Sequence, residues 1–108
     1  MAYYLIQIAY TPETWATLVK NPQNRLEAVR RPVEGLGGNI VGGWLAFGEY
    51  DIIGVLQMPD NASAAAISIA ISAGGAAKAV KITPLITWEE GIEAMRKAAG
   101  AGFRPPNS

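Results

Sequence analysis

Cysteine and histidine are both missing from the 108 residues. That removes disulfides, a thiol nucleophile, an imidazole base, the usual structural-zinc ligands and any histidine-ligated haem within the chain. Only oxygen donors remain for a magnesium or calcium ion, and neither a metal nor a cofactor is expected. Charge of one sign is lacking as well: nine basic residues balance nine acidic ones, so there is no basic excess of the kind that holds nucleic acid. Long hydrophobic runs are scarce. The longest uncharged stretch, residues 61–77, carries Asn61, three serines and Gly74-Gly75, and falls short of the roughly 20 apolar residues of a membrane span. The opening Met1-Ala2-Tyr3-Tyr4 has no basic region like that of a signal peptide. The expectation is a cytoplasmic protein with no nucleic-acid and no membrane partner.

What is present is half hydrophobic, enough for a single core of ordinary size. One domain is expected over residues 1–100, followed by a disordered proline-containing tail over 101–108. Tyr3 to Tyr10 is rich in aromatic and branched residues and apolar on both faces, as in a strand covered on two sides. Thr11-Pro12-Glu13 supplies a hydroxyl cap, a proline at the first helical position and an acid in the first turn, and predicts a helix to about Lys20. Asn21-Pro22 repeats the device, so a second helical piece is expected from there, with Leu26, Val29, Val33 and Leu36 as its apolar stripe. Pro32 predicts a kink or break. Gly35, Gly37 and Gly38 end the helix.

Asn39 to Phe47 and Asp51 to Met58 read as the next two strands. Gly42-Gly43 point to an edge, a bulge or a close backbone approach. Asp60 caps a helix over about Asn61 to Ala73, where Ile67 and Ile71 share a face and alanine or serine fills most of the rest. Ala79 to Ile86 is a fourth strand, held to an edge by Pro84. Thr87 and Glu90 form a capping box for a last helix with Trp88, Ile92, Met95 and Ala99 as its stripe. Trp15 and Trp88 read as helix-face anchors. The order is that of an α+β, ferredoxin-like βαββαβ unit with an extra C-terminal helix and a four-stranded antiparallel sheet.

Gly48-Glu49-Tyr50-Asp51, between two apolar strands, reads as a tight hairpin connection. The same four residues resemble the signature of the GYD domain family. The likeness runs from about Tyr3 to Trp88 and takes in Asn21-Pro22, Arg25-Leu26-Glu27-Ala28, Leu36-Gly37-Gly38 and the strand after Asp51. Pro32, Gly42-Gly43 and the tail depart from it. The resemblance implies a dimeric α/β barrel, a group that includes small monooxygenases, isomerases and ligand-binding regulators.

Helices cover one sheet face, which leaves Tyr3, Leu5, Trp44, Ile53 and Val55 on the other. A surface that apolar marks an interaction site, and a second copy of the same sheet is the cheapest cover. Alternation puts Gln7, Gln57, Lys81 and Thr83 on that face too. The two glutamines are expected close together, with Lys81 beside Gln7. With Tyr3 and Trp44 these residues have the makeup of a ligand pocket or of a plain interface, and both readings stand.

Glu49, Tyr50 and Asp51 read either as an acid–base site at the barrel mouth or as turn chemistry around Gly48. Arg25 reads either as a carboxylate or phosphate ligand or as a partner for Asp51 or Glu49. The chain is therefore expected to partner itself, as a homodimer or larger ring, and to bind a small apolar or aromatic metabolite in the sheet-lined cavity. A cofactor-free oxygenase or isomerase and a non-catalytic scaffold are the alternatives, and whether it is an enzyme is left open.

Overall fold

The computed structural model describes residues 1–106. Its elements run β1 (Ala2–Tyr10), α1 (Pro12–Lys20), α2 (Leu26–Gly35), β2 (Asn39–Leu45), β3 (Ile52–Met58), α3 (Asn61–Ala73), β4 (Ala77–Leu85) and α4 (Trp88–Ala99). The strands form one antiparallel sheet in the order β2-β3-β1-β4. This is the ferredoxin-like plan with β1 and β3 central, β2 and β4 at the edges, and an extra helix at the end. Pro84 lies on the edge strand β4, where its missing N–H costs least.

Alternation along the central strands builds the core. Tyr4, Ile6, Ile8 and Tyr10 of β1 and Ile52, Leu56 and Met58 of β3 are buried on one face against Val29 and Val33 of α2 and Ala64 and Ile67 of α3. Side chains at period two from the strands meet side chains at three-to-four spacing from the helices. Ile69, away from that stripe, is exposed.

Helix ends are tied where the sequence places caps. Thr11 Oγ1 accepts from Thr14 N at 3.1 Å, and Asp60 Oδ1 accepts from Ser63 N at 2.7 Å. Thr87 and Glu90 close a reciprocal box at the start of α4. At the end of α2, Gly38 N donates to Val33 O and Gly37 N to Glu34 O, both at 3.0 Å, with Gly37 at φ 86°. That double bond pattern is the Schellman motif, and its left-handed residue requires glycine.

Several local expectations need correcting. The second helix starts at Leu26, not at Asn21-Pro22. A residue before proline is steered away from helical angles, and Asn21 leaves α1 at φ −138°, ψ 79°. The Asn24 side chain takes over, accepting from Leu26 N at 3.1 Å. Pro32 does not break α2, which runs through it to Gly35. The proline falls in the last turn, where only one internal bond is lost before the glycine-terminated end ties the chain down.

The β2–β3 connection is a six-residue loop, residues 46–51, not a tight turn. It is closed by Ala46 N donating to Asp51 O at 2.7 Å. Gly48, at φ 146°, supplies the positive angle inside it. Phe47, expected in the strand, projects from this loop 99% exposed.

The last helix is not anchored by Trp88. No residue of α4 is buried, and Trp88 and Met95 are 79% and 60% exposed. The radius of gyration is 17.3 Å, against about 13 Å for a compact chain of 100 residues, because α4 stands off the body. Residues 101–106 form no helix or strand, and the last two residues of the expected tail lie outside the described residues. Among the described residues no helix is long and apolar enough to cross a membrane.

Candidate functional site

Register turns the open sheet face into rows of neighbours, because residues paired directly across strands point to the same side. The first row is Asn39, Gln57, Tyr3 and Leu85; the second Gly42, Val55, Leu5 and Thr83; the third Trp44, Ile53, Gln7 and Lys81. A bulge in β2 between Ile40 and Gly42 keeps the last two rows in phase. A Cβ on Gly42 would lie 3.1 Å from the Trp44 ring, so that glycine lets the indole lie flat along the strand. The middle row is apolar except for Thr83, and each outer row mixes the two kinds: Trp44 and Ile53 beside Gln7 and Lys81 in one, Leu85 beside Tyr3, Gln57 and Asn39 in the other.

Of the residues singled out on this face, Gln7 and Lys81 are direct neighbours, as are Tyr3 and Gln57, while Thr83 sits beside Leu5. The two glutamines are not together. Gln57 pairs with Tyr3, four residues along β1 from Gln7, a separation of about 13 Å. Strand order alone could not reveal this, because proximity also depends on register.

Asp51 is the most engaged residue of the signature. Its main-chain N–H donates to Ile8 O at 2.8 Å. Its carboxylate Oδ2 accepts from Tyr10 N at 2.8 Å and from Trp15 Nε1 at 3.3 Å. The β1–β3 ladder ends at the Ile8–Ile52 pair, so the Asp51 side chain stands in for the strand carbonyl that Tyr10 would otherwise lack. The Trp15 ring meets that of Tyr10 edge to face, with centroids 5.7 Å apart at 83°. Glu49 and Tyr50 lie on the loop with no ion pair among the described residues.

Arg25 does not pair with Asp51 or Glu49. The ion pairs of the described residues are Arg30–Glu27 and Arg96–Glu93, and the Arg25 guanidinium instead donates to Gln23 Oε1 at 3.2 Å. It lies beside the Tyr10 hydroxyl. Burial pushes the Tyr10 phenol above its ordinary pKa, and the neighbouring Arg25 opposes that by hydrogen bonding and charge. Both residues line a cleft of about 380 Å³ on the helix-covered side, between α1, the α1–α2 connection and the loop ends of β2 and β3. No single stretch of the chain announces this cleft, which depends on where α2 begins.

Among the described residues no group of three or more acidic side chains converges on a metal-sized point. Sheet order and helix placement define a small ferredoxin-like α+β protein. More narrowly, the chain belongs to the GYD domain family, whose profile matches residues 4–95. No curated protein matches it. Among solved structures it is similar to the hypothetical protein PHS023 from Pyrococcus horikoshii, at 12% identity and TM-score 0.51 over 81% of this chain and 92% of that one. It is also similar to FFRP-DM1, at 14% identity and TM-score 0.49 over 80% of this chain and 100% of that one. The likeness to PHS023 shows the fold alone.

Proposed function

We propose that this is a homodimeric binding protein in which two copies bring their open sheet faces together as an α/β barrel, enclosing a small apolar or aromatic metabolite. The observation that carries the reading is the pattern of the face: Leu5 and Val55 in the middle row, Trp44 and Ile53 sharing the row of Gln7–Lys81 at one end, and Tyr3–Gln57 at the other. Trp44 is 64% exposed in the single chain. A two-fold interface needs a self-complementary patch, and an apolar patch running from Leu5 and Val55 to Trp44 and Ile53, with polar pairs beside it, meets that need. The polar pairs supply orienting groups around an apolar lining, as ligand sites require.

Light scattering and a ligand screen test this together. The wild-type protein is expected at twice its chain mass, and Leu5→Glu, which places an unpaired charge in the contact, as a folded monomer. A bound metabolite at a hundred times its Kd adds about 2.7 kcal/mol of stability. A wild-type monomer at every concentration reached would end the barrel reading, and a dimer stabilised by no apolar or aromatic compound would leave a bare interface.

One observation favours a wider assembly. Trp88, Ile92 and Met95 form a bare apolar stripe on α4, and the small-residue helix α3 leaves Ile69 exposed. These faces suit contacts between dimers in a ring. Ala66→Trp is expected to reduce such a species to dimers without unfolding the chain.

A further inference from the structure

The strongest unassigned feature lies on the other side of the sheet, inside a single chain. The cleft beside α1 is walled by Trp15, Leu18, Leu26 and Ile52, with Tyr10 and Arg25 among its lining residues. Its 380 Å³ falls toward the lower end of the size range of small-molecule sites, about 300–1,000 Å³. Arg25 brings a permanent positive charge to this wall, and no carboxylate among the described residues forms an ion pair with it. The nearby Asp51 carboxylate turns its Oδ2 to the Tyr10 and Trp15 N–H donors and forms no ion pair with Arg25, though its charge is felt at Tyr10.

We propose that this cleft binds a small aromatic or apolar carboxylate, with the anionic head on Arg25 and the Tyr10 hydroxyl and the apolar body against Trp15, Leu18 and Ile52. The guanidinium fork matches a carboxylate in bidentate geometry. A single cation in a mainly apolar cleft suits a monoanion better than a phosphate, which calls for more donors. Asp51 is then a positioning residue. It fixes the Trp15 indole through Nε1, and the edge-to-face contact with Tyr10 holds the same wall from the other side. A wall set before binding lowers the cost of ordering it.

Tyr10 and Arg25 also line a second groove, of about 250 Å³, that runs toward α3 past Val29 and Ile71. The head-group position is thus shared by two grooves.

The test follows the Trp15 Nε1–H resonance of the full chain during titration with benzoate, phenylacetate and indole-3-carboxylate, and with the uncharged amides of each. Carboxylates are expected to shift Trp15 and to bind at least about tenfold more tightly than their amides, a difference of about 1.4 kcal/mol. Arg25→Gln is expected to remove that preference while leaving the weak amide binding. Arg25→Lys is expected to keep part of it, because charge persists without the fork.

Methyl resonances of Leu5 and Val55 report the open face separately in the same spectra. Shifts there without a shift at Trp15 would overturn the cleft site while leaving the barrel cavity standing. Equal binding of acids and amides, or a folded Arg25→Gln protein that retains the preference, would overturn the role of Arg25.

Discussion

The Asp51 carboxylate and the Tyr10 main-chain N–H meet at 2.8 Å, joining the first residue before β3 to the last residue of β1. The same oxygen holds Trp15, so one side chain ties the central sheet, its end and helix α1. Asp51→Ala is expected to lower unfolding stability by about 1.5–3 kcal/mol, the range for a hydrogen bond to a charged group. Asp51→Asn, which keeps an acceptor, is expected to cost less. Urea midpoints at constant slope measure both, and a loss below about 0.5 kcal/mol in Asp51→Ala would show the contact to be incidental.

Gly38, the outer donor of the Schellman motif, is fixed by space. A Cβ there would lie 2.5 Å from Gln57 O and would also collide with the Met58 sulfur. Backbone cannot yield as a flexible side chain does, so Gly38→Ala is expected to destabilise by about 1–3 kcal/mol. By contrast a Cβ on Gly35 meets nothing, and Gly35→Ala, inside α2, is expected to stabilise by a few tenths to about 1 kcal/mol. Parallel thermal melts of the two variants should move in opposite directions.

The Asp60 cap gives α3 a dependence on pH. Hydrogen bonds from Ser63 hold the Asp60 carboxyl below its ordinary value of 3.8. A carboxylate whose pKa is lower folded than unfolded contributes stability that is fully present above the unfolded value. That contribution is lost as pH falls through the folded value. The melting temperature of the wild type is therefore expected to drop more steeply below pH 3.8 than that of Asp60→Asn, which caps without titrating. Superimposable pH profiles would remove the cap from the acid response.

Tyr4 reaches from the buried face of β1 to the first residue of α3, its hydroxyl donating to Asn61 Oδ1. Tyr4→Phe keeps the packing and leaves that partly buried acceptor without its donor. A loss of about 1 kcal/mol is expected, read as a lower urea midpoint with an unchanged slope.

Much of the fold was legible because it rests on local chemistry. Asp60 and Gly74 delimit α3, Thr87 and Glu90 announce α4, and Pro84 confines β4 to an edge. What could not be read depends on geometry beyond the local chain. Asn21-Pro22 has the composition of a helix start, yet the proline's effect on its neighbour made it an ending. The glutamines belonged to the same face, but register, set jointly by both strands, put them at opposite ends of it. Arg25 was singled out, though the cleft it lines draws walls from α1, β2 and β3, which no single stretch announces. Trp88 had the spacing of an anchor, and nothing in a periodicity says whether a surface exists to receive it.

That outlying helix has a consequence of its own. A dozen residues, even well capped, are marginal as an isolated helix in water, so α4 draws little support from its own chain. If α4 packs against other copies as proposed, far-ultraviolet ellipticity is expected to weaken on dilution and recover on concentration, with Trp88 emission moving to longer wavelength as neighbours fall away. Under that proposed assembly, order at the C-terminal end becomes a gauge of how crowded the solution is with its own kind.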